Sequence, residues 1–230
     1  MIAIIITGEL RTLDKCLPNL DWNVFRHYKG AKFFVSTVND QNASKVQLLK
    51  DRYDVVDVEL VDKQPDFDDL KKWTPGEFYT HEPYAISVSP EAILRQLWQL
   101  EQGWNLFEKA KLDCDTIIRC RPDLWFHNFR PIWNPFSYDA HVPGFGTFGG
   151  VNDRFAVLGK GAAMRYFTTF SQRINLWDAG CPFHPESMVK ASLEMGKCFA
   201  NEQPAWLFST LRENGQMRSP ELTQIDILRR

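Results

Sequence analysis

The chain has 230 residues, of which 44% are hydrophobic and 13% aromatic, so it contains enough apolar surface for one sizeable core. Its 27 Lys and Arg residues nearly balance its 29 Asp and Glu residues, which gives a formal net charge of −2. This balance excludes the broad positive field with which proteins hold a nucleic-acid backbone, and we expect no nucleic-acid partner.

Cysteine spacing and hydropathy indicate the cellular compartment of the protein. The five cysteines show no C-x-x-C spacing, so the sequence predicts neither a disulfide framework nor a cysteine zinc site. The apolar start at Ile2–Ile6 is too short for the core of a signal peptide. Later apolar runs fall short of the roughly 20 residues of a membrane span. We therefore expect a cytoplasmic protein with no transmembrane segment.

The first part of the chain alternates between strand-like and helix-like segments. Continuous apolar and β-branched runs at Ile2–Thr7 and Lys32–Val38 predict strands that are buried on both faces, and Val55–Val61 predicts a third strand. Amphipathic segments lie between them, the second at Ala43–Arg52. This alternation favours a parallel α/β sheet.

A polar stretch and a long helix follow. Asp62–Gly76 is acidic, interrupted by proline and aperiodic, which predicts a surface loop. Ser89-Pro90-Glu91 then marks the start of a helix, because Ser can cap it, Pro suits its first turn and Glu meets its positive end. Apolar residues recur after this start at spacings of three and four, which indicates one buried helix face.

The second half of the chain contains shorter elements. Thr116–Cys120, His141–Pro143 and Phe155–Leu158 predict strands, and Trp206–Arg212 resembles a further one. Apolar residues spaced from Met164 to Trp177 predict a single helix.

Charged residues follow the predicted strand Thr116–Cys120 at its carboxyl end, where open parallel sheets bind ligands. Arg121-Pro122-Asp123 places a cation and a carboxylate there, and the proline restricts the backbone around both. A local ion pair that ends the strand is the alternative interpretation. Asp113-Cys114-Asp115 lies at the amino end of the same strand, which favours turn residues over a cation site.

Two further segments carry candidate site residues. In Thr7–Thr12, Gly8 would let a ligand approach the backbone and Arg11 offers a forked donor for phosphate oxygens. A helix cap at Thr12 is the alternative. His184-Pro185-Glu186 opens a helix, where the dipole favours a carboxylate, so capping and chemistry both remain open for Glu186.

Five short motifs occur in order along the chain, and together they resemble a group of small bacterial and viral GT-A-like glycosyltransferases. The motifs are G-x-x-R-T at Gly8–Thr12, R-P-D-L at Arg121–Leu124, N-D-R-F-A at Asn152–Ala156, H-P-E at His184–Glu186 and L-R-x-N-G at Leu211–Gly215. The resemblance implies a single GT-A-like α/β domain over residues 1–230, with a central, mostly parallel twisted sheet flanked by helices. Its nucleotide-binding half would span about 1–125 and its acceptor-side half about 126–230.

The resemblance also implies roles for individual residues. Such enzymes usually carry a D-x-D motif that holds Mn²⁺ or Mg²⁺ on the diphosphate. Asp123 matches its last acid as the metal ligand, whereas Arg121 replaces the first and could neutralise the diphosphate directly. Glu186 is similar in placement to the catalytic base, with Asp153 as the alternative. The expected nucleotide-sugar-binding residues are Thr7, Gly8, Arg11, Thr12, Arg121, Asp123, Asn152 and His184.

These features predict a glycosyltransferase of polysaccharide biosynthesis that moves a sugar from a nucleoside diphosphate sugar to a hydroxyl of a glycan or glycoconjugate acceptor. Arg11, Arg121 and a cation on Asp123 would stabilise the departing diphosphate. A glycoside hydrolase that uses Asp123 and Glu186 as its carboxylates is one alternative. A non-catalytic carbohydrate- or nucleotide-binding module, with Arg121 and Glu186 in structural ion pairs, is the other.

Overall fold

Strands and helices alternate along residues 1–62, 64 and 90–218, the part of the chain that the computed structural model describes. The strands are β1 (Ile2–Thr7), β2 (Lys32–Val38), β3 (Asp54–Val61), β4 (Thr116–Cys120), β5 (Leu124–Asn128), β6 (Asp139–Pro143), β7 (Phe155–Gly159), β8 (Phe199–Gln203), β9 (Leu207–Leu211) and β10 (Met217–Arg218). The α-helices are α1 (Leu13–Asn23), α2 (Val46–Lys50), α3 (Pro90–Ala110), α4 (Lys160–Phe167), α5 (Thr169–Asp178) and α6 (Pro185–Met195). Short 3-10 turns lie at Phe25–His27 and Ala43–Lys45.

The central sheet has seven strands in the order β3-β2-β1-β4-β7-β6-β8. The β3-β2, β2-β1, β1-β4 and β6-β8 pairs are parallel, whereas β7 runs antiparallel to both β4 and β6. A second sheet of three strands has the order β10-β9-β5. The predicted α/β class, with a central and mostly parallel sheet flanked by helices, is confirmed.

Side chains of β1 alternate between the two faces of the sheet. Ala3 and Ile5 belong to a buried cluster that includes the apolar side of α3. Ile4 and Ile6 belong to a second cluster that includes Leu17 of α1. Helices α1 and α3 therefore cover opposite faces, which explains why β1 is one continuous apolar run and not an alternating one.

The strand order reverses between β1 and β4. From β1 the chain passes through α1 to β2 on one side, and after α3 it returns to β4 on the other side. Ile6 of β1 lies opposite Cys120 of β4, so both strands end at the same edge. In open α/β sheets a crevice forms at such a reversal, outside the carboxyl ends of the strands.

Several elements differ from the sequence prediction. The helix predicted from Met164 to Trp177 is interrupted at Thr168, whose hydroxyl donates to the Met164 carbonyl oxygen at 2.7 Å. Such side-chain bonding to the preceding turn bends or ends helices. Strands β5 and β8 were not predicted. The loop predicted at Asp62–Gly76 and the cap at Ser89 lie outside the described residues, apart from 62 and 64.

The predicted turn at the amino end of β4 lies away from the crevice. The Asp113 carboxylate is 3.3 Å from the Lys160 ammonium, and the Asp115 carboxylate is 3.3 Å from the amino terminus.

Within the described ranges, the helices are all too short or too polar to cross a membrane.

Replacing Gly103 should show how closely α3 packs on the sheet. A Cβ at this position would meet Thr7 Cγ2 and would lie 2.7 Å from Ile5 Cγ2, so either the helix or the strand must shift. We expect Gly103→Ala to lower the free energy of unfolding by about 1–3 kcal/mol, as overpacking does. Asn105→Ala on the exposed side of the same helix is the control and should be neutral or stabilising. Equal urea midpoints for the two variants would contradict this close packing.

Candidate functional site

A cleft of about 520 Å³ opens where β1 and β4 end, at the reversal of strand order. Many of the predicted site residues line it, namely Thr7, Gly8, Arg11, Thr12, Arg121 and Asp123. Thr7 ends β1 and the next three of these residues follow it, whereas Arg121 and Asp123 follow β4, so the sheet itself brings these distant segments of the chain together. The cleft thus lies where the topology predicts a ligand site.

The backbone after β1 is shaped for close approach. Gly8 has a φ of +123°, which disfavours other residues, and its amide donates to the Ser36 carbonyl oxygen at 3.3 Å. A Cβ on Gly8 would lie 3.5 Å from Pro122 Cδ, so the segments that follow β1 and β4 are in contact. Thr12 is 2% exposed, and its hydroxyl donates to the Leu211 carbonyl oxygen without capping α1. These contacts draw three segments together around the cleft.

Against four carboxylates, those of Glu9, Glu91, Asp123 and Glu213, the lining of the cleft carries five guanidinium groups. They belong to Arg11, Arg95, Arg119, Arg121 and Arg212. Carboxylates pair with some of them: Glu9 lies 2.6 Å from Arg11, and Glu91 contacts Arg95. By contrast, the Nε atoms of Arg119 and Arg212 are buried without a hydrogen-bond partner among residues 1–62, 64 and 90–218. Such buried donors are unfavourable until a ligand or water accepts from them.

Electrostatics places Arg212 within a positive cluster. Burial lowers the pKa of Arg212, and the neighbouring charges of Arg218, Arg121 and Arg11 lower it further. Like charges that disfavour one another in this way would be stabilised by an anion between them. Burial also lowers the pKa of Arg119, which is 3% exposed and donates from Nη1 to the Thr7 carbonyl oxygen at 3.1 Å.

Arg121 and Asp123 form a bidentate ion pair. Arg121 Nε donates to Asp123 Oδ1 at 2.9 Å, and Nη2 donates to Oδ2 at 2.6 Å. Burial alone would raise the pKa of Asp123, but the charge and hydrogen bonds of Arg121 outweigh it and hold the pKa below its usual value. The local ion pair that the sequence left open therefore forms inside the cleft.

This ion pair bears on the metal that the resemblance implies. Mn²⁺ and Mg²⁺ prefer several oxygen ligands, but both carboxylate oxygens of Asp123 already accept from Arg121. Within the described part of the chain, His, Cys, Asp and Glu side chains form no cluster of three or more that could hold a metal ion. The predicted metal role of Asp123 does not fit this geometry.

The predicted catalytic carboxylates lie in a second, buried group behind the cleft. The Glu186 carboxylate is 3.1 Å from His184 Nδ1 and 3.7 Å from Arg154 Nη2. Asp153 accepts a hydrogen bond from Gln96, which itself lines the cleft. Asp153 and Glu186 are each 4% exposed, so Gln96 lies between this buried group and the cleft.

The surroundings of Glu186 raise the pKa of its carboxyl group. Burial raises its pKa well above the usual value, and the nearby charge of Asp153 raises it further, while Arg154 opposes the shift. A carboxylate with a raised pKa is a stronger base when it is ionised, and a general base works best when its pKa lies near the operating pH.

The remaining predicted residues, Asn152 and His184, lie in the buried group and not along the cleft. Asn152 is fully buried; its amide donates to the Phe145 carbonyl oxygen at 2.9 Å, and its side-chain oxygen accepts from the Arg154 amide at 3.0 Å. These bonds fit a structural role better than the predicted contact with a nucleotide sugar. His184 precedes α6 in an extended conformation, without a side-chain cap, and its ring contacts Glu186.

The Gly-rich loop 144–150 holds the start of α6 in place. The Val151 amide donates to the Glu186 carbonyl oxygen at 3.0 Å. A Cβ on Gly150 would clash with the Glu186 backbone, so only glycine fits there. The position of the Glu186 carboxylate therefore depends on this loop.

Residues that the sequence reading did not assign also line the cleft. Arg119 could have been found as a charged residue inside an otherwise apolar strand. Arg212 lies in the L-R-x-N-G motif, but no charge or spacing argument linked it to Arg11 or Arg121. Gln96 carries no sequence signal, because a polar residue on an amphipathic helix usually faces solvent.

The chain matches no protein-family model and no curated protein. Among solved structures it is similar to the crystal structure of a nucleoside-diphosphate-sugar pyrophosphorylase from Vibrio cholerae RC9, with 10% sequence identity and a TM-score of 0.46. The similarity covers 88% of this chain and 91% of that chain. Likeness at this level does not identify a function, which has to be inferred from the cleft itself.

The raised pKa of Glu186 predicts a pH dependence of stability. Between its ordinary value of 4.5 and the higher value in the folded protein, the folded state binds the extra proton, so this group's contribution to stability falls as pH rises. Glu186→Gln removes that dependence. In urea titrations, we expect the unfolding free energy of the wild type, relative to Glu186→Gln, to decrease as the pH is raised from 4 to 8.

The matched control is Glu194→Gln, which removes the same charge from an exposed position of α6. Its difference from the wild type should change much less over this range. A difference between wild type and Glu186→Gln that stays constant from pH 4 to pH 8 would contradict the assignment.

Proposed function

We propose that this protein is a glycosyltransferase that takes a sugar from a nucleoside diphosphate donor and passes it to a hydroxyl of a glycan or glycoconjugate acceptor. The observation that carries the proposal is the cluster of Arg11, Arg121 and Arg212 at the carboxyl ends of β1 and β4. A diphosphate has the charge and the acceptor oxygens that match several forked donors at once.

The chemistry of glycosyl transfer explains why such a cluster is useful. The diphosphate gains negative charge as its bond to the sugar breaks, so donors that are already in position stabilise the transition state. Arg212 and Arg119 each have a buried Nε without a partner in the described structure, and these are donors that an anion can satisfy. A glycoside hydrolase has no diphosphate to neutralise, so the arginines favour transfer over hydrolysis.

The acceptor hydroxyl needs a group to receive its proton. Our candidate is Glu186, because burial and Asp153 raise its pKa, with Asp153 itself as the alternative. Gln96 separates Asp153 from the cleft and would have to move for an acceptor to reach either carboxylate.

A guanidinium can perform the electrostatic task that a metal ion performs elsewhere. We propose that Arg121, held by Asp123 in a bidentate pair, faces the diphosphate in place of the implied Mn²⁺ or Mg²⁺. The pair fixes the direction of the guanidinium, and its remaining donor hydrogens are available to phosphate oxygens.

Removing a cleft arginine should weaken donor binding. We expect Arg212→Ala to bind nucleoside diphosphates about tenfold or more weakly, because a charge-assisted hydrogen bond contributes about 1.5–3 kcal/mol. Arg52→Ala, which removes the same charge from an exposed turn, is the control and should bind normally. Calorimetric titration with UDP, GDP, CDP and ADP measures the effect, and release of nucleoside diphosphate from the matching nucleotide sugar measures turnover.

The same assay separates the alternative functions. A hydrolase would release sugar from a glycan and no nucleoside diphosphate from a nucleotide sugar. A binding module would show a thermal shift with the ligand and no turnover. Wild-type protein that binds none of these nucleotides would contradict the proposed function.

Arg121 in place of a metal predicts little sensitivity to chelators. We expect EDTA to slow sugar transfer by less than about twofold, whereas Arg121→Ala should slow it by about 10²-fold or more, the scale of one electrostatic group at a reacting centre. Assays with and without added Mn²⁺ or Mg²⁺ serve as the comparison. Strict dependence of the wild type on either metal would overturn the assigned role of Arg121.

A further inference from the structure

A chain of hydrogen bonds links two strands of the sheet to α3 beside the cleft. Ser36 on β2 donates from its hydroxyl to Glu59 Oε2 on β3 at 2.8 Å. Gln99 on α3 donates from Nε2 to the same hydroxyl oxygen at 2.7 Å. Ser36 and Glu59 are register partners in the sheet, so the strand pairing positions the first bond.

This chain fixes which end of the Gln99 amide points to Ser36. A carboxylate only accepts hydrogen bonds, so the single hydroxyl proton of Ser36 goes to Glu59. The Ser36 oxygen can then only accept, and the Gln99 side chain must present its NH₂ group there. The carbonyl oxygen Oε1 of Gln99 takes no part in this bond, and the hydrogen bonds to Ser36 and Glu59 hold it in place as an acceptor.

The leftover acceptor has no partner within the described ranges. Gln99 is 4% exposed and lines the cleft, and its Oε1 is buried without a hydrogen bond. Nearly all buried polar atoms in folded proteins are paired, so an orphan that is held in one orientation beside a cleft points to a donor supplied by a ligand.

The strand order indicates which part of a ligand would meet Gln99. Ser36 and Val38 belong to β2, Arg11 and Arg121 follow β1 and β4, and Asp153 lies two residues before β7. The β2 side thus lies about 14 Å, or three strand spacings, from the buried carboxylates. With the reacting sugar near those carboxylates and the diphosphate at the arginines, the nucleoside falls on the β2 side.

We propose that Gln99 is a specificity-determining residue whose carbonyl oxygen accepts a hydrogen bond from the nucleoside of the donor, either from a ribose O–H or from a base N–H. This inference rests on the proposed function. Glu59 and Ser36 do not touch the nucleoside; they are positioning residues that hold the Gln99 amide in the accepting orientation.

Binding to paired ligands tests the proposal. Gln99→Met keeps the length of the side chain and removes the acceptor, and Ser36→Ala releases the amide. Calorimetric affinities are measured for inorganic pyrophosphate and for whichever of UDP, GDP, CDP and ADP the wild type binds most tightly. We expect Gln99→Met to weaken nucleoside diphosphate binding about five- to tenfold and to leave pyrophosphate binding unchanged, with Ser36→Ala a smaller loss of the same kind.

Gln102→Met is the matched control. Gln102 lies on the same helix, but its side-chain amide donates to the Trp98 carbonyl oxygen and it is not among the residues that line the cleft. The affinities of the Gln102→Met variant should therefore equal those of the wild type. Equal losses for pyrophosphate and nucleotide in Gln99→Met would show a structural role and overturn the proposal. Wild-type nucleotide affinity in Gln99→Met would overturn it while leaving the proposed function in place, and a wild type that binds pyrophosphate but no nucleotide would overturn both.

The 2′-deoxy form of the same nucleotide separates the two sources of the donor. A smaller loss in Gln99→Met with the deoxy ligand than with the ribonucleotide would assign the 2′-hydroxyl as the partner. An equal loss would assign another O–H or an N–H of the nucleoside, and either result supports the accepting role of Gln99.

Discussion

The site depends on one constraint: several guanidinium groups lie close together where the strand order of the sheet reverses. Arg119 lies in β4, Arg121 directly follows that strand, and Arg212 directly follows β9. Taking such charges out of water is unfavourable unless partners compensate, and Asp123 compensates only Arg121 through its two hydrogen bonds. The buried Nε donors of Arg119 and Arg212, which have no partner in the described structure, make the cleft suited to an anion.

The sheet distributes the rest of the site along one line. The strands adjoin in the order β2, β1, β4 and β7. The buried amide of Gln99, the arginines and the buried carboxylates therefore lie one after another along the sheet. Helix α3 takes part in this arrangement through Gln96 and Gln99, which face the cleft because Gly103 lets the helix approach β1 closely. One helix therefore contributes both the cover over Asp153 and the acceptor at the β2 side.

The sequence predicted the parts of the fold that depend on local pattern. Apolar runs identified β1, β2 and β4, and their carboxyl ends identified Arg11, Arg121 and Asp123 as neighbours in one cleft. It could not predict whether Arg121 and Asp123 bind each other or a metal, because that depends on side-chain geometry. Strands β5 and β9 pair across some eighty residues of chain, so the approach of Arg212 to the cleft depends on long-range contacts that no short pattern encodes.

Arg121 also links the cleft to the buried carboxylates. Its positive charge is felt by Asp123, Asp153 and Glu186, and it lowers the pKa of Glu186. In the proposed function, a diphosphate bound at Arg121 would offset part of that charge. The pKa of Glu186 would then rise further, so that its ionised carboxylate becomes a stronger base when the donor is in place. Donor binding at the arginines would thereby strengthen the base that receives the acceptor proton. The cleft and the buried group are joined by the hydrogen bonds from the Arg121 amide to the Arg154 carbonyl oxygen at 3.2 Å and from Gln96 to Asp153.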